Sequence, residues 1–201
     1  DGAGVSCTLR GMAEAMGATV KYYDYNIAQL DKPAISLDDA EHAKLVDIEK
    51  DGRLPIILKG VQLVKKKLGD KVPVSATVTG PFTIAAMTVG TEALLIGTVK
   101  KPDKVRRLME IIVENNNRYI SRLLELGVGI GFADPVSSTS LISVKQYKEF
   151  SLPYFQKNVD YIKSHGGGCG LHICGTSRKL WDSFLGTGIG AFALDNVEDL
   201  E

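Results

Sequence analysis

The sequence has little of what marks several classes of protein. Its 201 residues include one Trp, three Cys and three His, and 24 basic residues balance 24 acidic ones. Because these charges never form a long block, the chain lacks the electrostatic footprint that nucleic acid or an anionic membrane would require. No apolar run approaches the length of about 20 residues that spans a bilayer. We therefore expect neither nucleic acid nor a membrane as a partner.

The chain also lacks an initiating Met, and its first residues, DGAGVSCTLR, have neither the charged nor the apolar region of a signal peptide. An odd number of Cys, two of them among His in one short segment, favours reduced thiols over a disulfide framework. These features predict a cytoplasmic protein. The last residues, NVEDLE, resemble the start of another turn or helix. We expect a single domain over residues 1–201 from which N- and C-terminal parts are missing.

Strand and helix patterns alternate along the chain. Short β-branched or apolar runs predict strands at residues 18–26, 73–80, 128–135, 171–175 and 189–196. Helical spacing of apolar residues predicts helices at residues 81–97, 102–126, 143–166 and 178–186, the third with an irregularity at Pro153. Parallel neighbouring strands need a crossover connection, which a helix supplies. The order of elements therefore predicts an α/β fold with a parallel sheet.

Polar or charged residues recur where these predicted strands end, in TVTG, GFADP, LHICG and FALDN. In a (β/α)₈ TIM barrel, the active site lies at this carboxyl edge of the strands. A full barrel takes about 250 residues. The sequence therefore predicts an incomplete portion of a (β/α)₈ barrel.

Residues 165–177, HGGGCGLHICGTS, contain two of the three His and two of the three Cys. An HGGG segment can serve an oxyanion hole, but the sequence has no G-x-S-x-G nucleophile motif to accompany it. The glycines end a predicted helix and precede a strand, the opposite order to a phosphate-binding loop. We therefore interpret residues 166–168 as a helix cap.

His172 and Cys174 are separated by one residue, so on a regular strand both side chains point to the same face, whereas Cys169 has the opposite parity. A His nitrogen and a thiolate sulfur can bind one Zn²⁺ together. The alternative is a buried Cys beside a core His that is satisfied by a carbonyl. Two ligands are too few for zinc, and Cys7, His42 and His165 have no spacing that supplies a third.

Asp134 and Asp195 each end a predicted strand and are candidate catalytic residues. Either carboxylate could orient His172 or contact a substrate. Equally, each could cap the turn that follows it.

Four segments in order, GPFTIAA (80–86), GFADPVSSTSLISVKQYKEFSLPYF (131–155), LHICGTS (171–177) and FALDN (192–196), resemble the uroporphyrinogen decarboxylase superfamily. The resemblance covers most of the chain and implies a (β/α)₈ barrel. It also implies one of two activities, because the superfamily contains decarboxylases of haem biosynthesis and zinc-dependent methyltransferases that act on a corrinoid and a thiol.

The H-x-C motif favours the methyltransferase branch. The resemblance then implies His172 and Cys174 as zinc ligands, with a third Cys ligand beyond residue 201. It further implies a methylated corrinoid (methylcobamide), free or on a corrinoid protein, as methyl donor and a small thiol as acceptor. Two alternatives stay open: a uroporphyrinogen decarboxylase, in which this pair only packs, and a non-catalytic barrel that binds a tetrapyrrole or a corrinoid protein.

Overall fold

The computed structural model describes residues 2–6 and 9–199. Its strands are β1 (Ala3–Val5), β2 (Thr19–Lys21), β3 (Gln29–Lys32), β4 (Val74–Thr79), β5 (Gly129–Ala133), β6 (Cys169–His172) and β7 (Ala191–Ala193). Its α-helices are α1 (Gly11–Ala15), α2 (Leu54–Leu68), α3 (Pro81–Val89), α4 (Thr91–Lys100), α5 (Pro102–Glu125), α6 (Val144–Gln146), α7 (Leu152–Ser164) and α8 (Trp181–Phe184). Short 3₁₀ turns lie at Leu37–His42, Pro135–Ser137 and Arg178–Leu180, and a π-helical turn lies at Tyr147–Ser151.

Five strands form one parallel sheet in the order β1, β4, β5, β6, β7. Strands β2 and β3 form a separate antiparallel hairpin. Helices connect each strand from β4 onward to its neighbour, as parallel pairing requires. The predicted α/β fold with a parallel sheet is therefore confirmed.

The strand register assigns the residues of the sheet to two faces, because paired residues in neighbouring strands point to the same side. One face packs against the helices and carries the buried residues Ala76, Val78, Ile130, Phe132, Cys169 and Leu171. The opposite face, which we call the inner face, carries Thr77, Thr79, Gly131, Ala133, Gly170, His172, Ala191 and Ala193.

Two predicted helices keep their predicted form. Helix α5 begins at Pro102 and is followed by Gly127, whose φ of +63° suits the left-handed position after a helix. The predicted irregularity near Pro153 is the π-helical turn, in which the N–H of Leu152 donates to the carbonyl of Tyr147, five residues back. Proline has no N–H to continue the regular helical ladder, which accounts for an irregularity at this point.

The predicted cap at residues 166–168 is also confirmed. Gly166 has a φ of +73°, its N–H donates to the Lys163 carbonyl, and the N–H of Gly167 donates to the Ile162 carbonyl. These two bonds form a Schellman motif, which ends α7 and turns the chain toward β6.

Two predicted elements differ in the structure. The apolar run 81–97 is not one helix, because α3 and α4 meet at Gly90 with a bend of 105°. The predicted strand 18–26 is extended only over Thr19–Lys21 and then turns into the hairpin with β3. Within the described part of the chain, no single helix has the length and apolarity to cross a bilayer, and α3 with α4 meets that criterion only as a bent pair.

Candidate metal site at the carboxyl edge of the sheet

His172 is the last residue of β6 and projects from the inner face at the carboxyl edge of the sheet. Its register partners on either side are Ala133 and Ala193, whose small side chains leave the imidazole accessible. Cys174 lies two residues on, just past the end of the strand, while Ile173 between them is buried in the core. The alternation predicted from the sequence therefore continues beyond the strand and places His172 and Cys174 together.

Both nitrogens of the His172 ring have partners. Nδ1 lies 3.0 Å from the carbonyl oxygen of Ala193, and Nε2 lies 3.2 Å from Sγ of Cys174. A carbonyl oxygen can only accept, so Nδ1 carries the proton and donates it to Ala193. This tautomer leaves the Nε2 lone pair directed at the Cys174 sulfur.

The donor set fits a zinc ion. Typical Zn–N and Zn–S bonds of about 2.0 and 2.3 Å at a tetrahedral angle put the two donor atoms about 3.5 Å apart. The observed separation of 3.2 Å between Nε2 and Sγ is close to that value. The Nδ1–H bond to a carbonyl is also the usual way in which a zinc-binding imidazole is held in its tautomer.

The protonation of Cys174 depends on its surroundings. Burial raises the pKa of this thiol, and the nearby negative charge of Asp195 raises it further. The neutral thiol is thereby favoured, and a thiolate at this position needs a cation to stabilise it. A bound divalent metal supplies such a charge and deprotonates a coordinating thiol.

The described residues contain two of the ligands that such a site needs. Within residues 2–6 and 9–199, no group of three or more His, Cys, Asp or Glu side chains is placed to hold a metal ion. His165 follows α7, at the opposite end of β6, and its Nδ1 contacts the Tyr161 carbonyl. His42 ends an exposed 3₁₀ turn, and Cys7 lies outside the described residues.

Asp195 lies just after β7 and contacts the loop that carries Cys174. The N–H of Gly175 donates to its Oδ2 at 2.6 Å, and Gly175 has a φ of +73° that suits glycine. This hydrogen bond is the main reason that the pKa of the Asp195 carboxyl is lowered. Asp195 is therefore a half-buried carboxylate that fixes the Cys174 loop and adds negative potential beside the His172–Cys174 pair.

Asp134 is placed differently, because its side chain is buried away from His172. Its Oδ1 accepts hydrogen bonds from the N–H and the hydroxyl of Thr83 at 2.9 and 2.6 Å, and its Oδ2 accepts one from Ser137 at 2.8 Å. Burial raises the pKa of this carboxyl, while these hydrogen bonds act in the opposite direction. The backbone N–H of Asp134 donates to the His172 carbonyl at 2.9 Å. Asp134 thus joins the start of α3 to the end of β5 and contacts His172 only through the main chain.

Hydroxyl groups of two loops and one main-chain carbonyl hold this edge together. The hydroxyl of Ser138 donates to the Thr176 carbonyl at 2.9 Å, and the N–H of Thr176 donates to the hydroxyl of Ser140 at 3.2 Å. These bonds join the loop after β5 to the loop after β6. The Ala193 carbonyl is a main-chain acceptor that no residue pattern reveals, whereas the hydroxyl-rich segments SSTS and GTS at consecutive strand ends did carry a signal.

A cavity of about 510 Å³ opens on the inner face beside the His172–Cys174 pair. Its lining on the sheet side comes from Thr77, Gly131, Ala133, Gly170, Ala191 and Ala193, and Ser6 and Leu9 close one side. His172 and Cys174 both line this cavity, so a molecule inside it reaches both donor atoms.

The parallel sheet, its helical layer and a polar site at the carboxyl edge define the class: this is part of a (β/α)₈ barrel. The sequence matches the uroporphyrinogen decarboxylase (URO-D) family over residues 1–201, and the chain belongs to that family. Its backbone superposes on a methyltransferase from Methanosarcina mazei with a TM-score of 0.83 at 25% identity, over 91% of this chain and 54% of that one.

Both branches of the family occur among the relatives. The chain is 32% identical over 151 residues to methylated-thiol–coenzyme M methyltransferase of Methanosarcina mazei, covering 75% of this chain and 40% of that protein. It is 30% identical over 167 residues to methylcobamide:CoM methyltransferase MtbA of the same organism, covering 83% and 49%. It is 31% identical over 163 residues to uroporphyrinogen decarboxylase of Chlorobaculum tepidum, covering 75% and 44%. The chain spans about half the length of the curated relatives it matches.

Proposed function

We propose that the protein is a methyltransferase that moves a methyl group from a methylated corrinoid to a thiol activated by zinc. The observation that carries this proposal is the convergence of His172 Nε2 and Cys174 Sγ at 3.2 Å, with Nδ1 held by the Ala193 carbonyl. The likeness to two coenzyme M methyltransferases supports the same reaction class.

His172 and Cys174 would hold the zinc ion, with a further Cys from beyond residue 201 as the third protein ligand. Bound zinc converts a thiol with a free pKa of about 8.5 into a thiolate at neutral pH, which makes it a nucleophile. Other residues of this chain fix the positions of these two ligands. Ala193 fixes the His172 ring, and Asp195 fixes the loop of Cys174 through Gly175.

The donor in this proposal is methylcobamide, free or on a corrinoid protein, and the acceptor is a small thiol. The corrinoid carries the cobalt chemistry, and the protein places the thiol. Asp195 stands beside the donor atoms and is our candidate for contact with substrate, while Asp134 would act on His172 through its backbone hydrogen bond. We place this reaction in the cytoplasm.

Zinc analysis of the full-length protein tests the proposal. We expect close to one zinc per chain in the parent protein and a large loss in His172→Ala and in Cys174→Ala, because each variant removes a ligand. Cys169→Ala is the matched control, since Cys169 faces the helices and should leave the zinc content unchanged. Unchanged zinc in both ligand variants would overturn the proposal.

The second candidate is a uroporphyrinogen decarboxylase. It is favoured by the 31% identity to the Chlorobaculum tepidum enzyme, which lies between the identities of 32% and 30% to the two methyltransferases. In that case His172 and Cys174 only pack at the edge of the cavity. Decarboxylation of uroporphyrinogen that persists after exhaustive chelation would establish this function, and loss of thiol methylation after the same treatment would favour the first.

A further inference from the structure

The inner face beneath the His172–Cys174 pair is made of unusually small residues. Gly170 lies two residues before His172 on the same face of β6. It forms a row across the sheet with its register partners Thr77, Gly131 and Ala191. Interiors of (β/α)₈ barrels are normally filled at such positions by Val, Ile and Leu. Here three neighbouring strands present nothing larger than a methyl group on the inner face.

Among residues 2–6 and 9–199, neither the backbone conformation nor a packed neighbour requires glycine at these positions. Gly131 and Gly170 both lie outside the set of glycines with positive φ. A Cβ added to Gly131 would meet nothing within 4 Å, and one added to Gly170 would come no closer than 3.4 Å to any atom. Glycine in a strand interior is also unfavourable for strand stability. Within the described residues, neither backbone conformation nor a close neighbour therefore accounts for these two glycines.

This space is continuous with the metal site. Gly131 and Gly170 line the same cavity of about 510 Å³ as His172 and Cys174. The two rows of residues are separated by two positions along the strand, which is about 6.6 Å. In the proposed reaction the sulfur of the acceptor lies at His172 and Cys174, and the cavity gives the rest of the acceptor space to extend along the inner face.

We propose that Gly131 and Gly170 determine which thiols the enzyme accepts. They leave room for an extended, unbranched chain that runs from the sulfur at His172 and Cys174 toward the amino ends of the strands. This inference rests on the proposed function, because it takes the bound thiol as the occupant of the cavity. Beyond the proposed function, the inference specifies that the acceptor thiol is long and names the residues that set its length.

Calorimetric titration of the zinc-loaded full-length protein with two hydroxyl-terminated thiols tests the inference. The short probe is 2-mercaptoethanol and the long probe is 6-mercapto-1-hexanol. We expect Gly131→Val to bind the short thiol as the parent does and the long thiol about tenfold more weakly, the loss that an overpacking cost of about 1.4 kcal/mol produces. Gly131→Ala adds less volume and should show a smaller loss of the same kind.

Gly129→Val is the matched control. Gly129 lies on the same strand and the same face, two residues further from His172, and it does not line the cavity. This variant should bind both thiols as the parent does. Equal affinity of the parent and both Gly131 variants for the long thiol overturns the inference alone. A parent protein that retains zinc but binds neither thiol overturns the proposed function, and the inference with it.

Discussion

At the scale of single residues, the two described cysteines differ in the face of the sheet on which they lie. Cys169 pairs in register with Ile130 on the face toward the helices and is only 7% exposed. Burial raises the pKa of its thiol to about 11. Cys174 is reached from the cavity and faces His172. Only the second cysteine is placed for metal or thiol chemistry, and the first is part of the core.

The pKa of Cys169 predicts a pH dependence of stability. An unfolded thiol loses its proton near pH 8.5, whereas folded Cys169 keeps its proton to about pH 11. Between these values the unfolded state binds fewer protons, so stability is complete below about pH 8.5 and falls by at most about 1.4 kcal/mol per pH unit above it.

Urea unfolding of the full-length protein and of Cys169→Ala, at about pH 8 and about pH 10, measures this effect. Lysines and tyrosines titrate in both proteins. The difference between the two proteins in how the free energy of unfolding changes with pH therefore isolates the contribution of Cys169. We expect the parent to lose more stability with rising pH than the variant. Equal slopes would show that burial does not shift this thiol.

Asp134 shows what a residue pattern can predict and what it cannot. The sequence singled it out correctly as an acidic residue at the end of a strand, but its partner Thr83 stands 51 positions earlier in the chain. Only the folded chain brings the start of α3 to the end of β5. A carboxylate at a strand end is therefore visible in the sequence, while the group it binds is not.

At the scale of elements, regular periodicity and the break near Pro153 were predictable, whereas the break at Gly90 was not. Helix α5 has an apolar stripe with a proline at its start and a glycine after its end, and each of these signals is local. The bend at Gly90 left no such signal, because the apolar spacing continues from α3 into α4. The break depends on a φ of +90° at Gly90, and Pro33, the residue after β3, lies nearby.

Two Gly→Ala substitutions should have opposite effects on stability, because Gly90 at the bend has a positive φ and Gly60 does not. Gly90→Ala should lower the free energy of unfolding by about 1 kcal/mol or more, because a Cβ is strained at positive φ. Gly60 lies inside α2, where a Cβ would meet nothing within 4 Å, so Gly60→Ala should raise it by about 0.5–1 kcal/mol. Thermal unfolding of the full-length protein measures both, and a neutral or stabilising Gly90→Ala would contradict the strained bend.

At the scale of the whole molecule, the position of the site follows from the order of strands. Parallel strands align their carboxyl ends, so polar residues that end consecutive strands collect at one edge. This rule was enough to place His172, Cys174 and Asp195 together from the sequence, but it also put Asp134 there, whose carboxylate the structure buries against Thr83. It could not give the tautomer of His172, which depends on the carbonyl of Ala193 on the neighbouring strand.

If the edge of the sheet holds a metal, metal binding and folding must be linked. A ligand that binds only the folded state stabilises it by about 2.7 kcal/mol at a free concentration 100 times the dissociation constant. We therefore expect zinc to raise the unfolding temperature of the metal-free full-length protein, and we expect His172→Ala and Cys174→Ala to lose that rise.

Cys169→Ala separates the site from nonspecific thiol binding. This variant removes a cysteine from the face toward the helices and keeps the His172–Cys174 pair, so the full zinc-dependent rise should persist. Metal that stabilised the protein through scattered thiols would give a smaller rise in every cysteine variant and an unchanged one in His172→Ala. His172→Ala therefore decides whether stabilisation comes from this edge of the sheet, because it removes the ring whose Nε2 contacts the sulfur of Cys174 and leaves every cysteine in place.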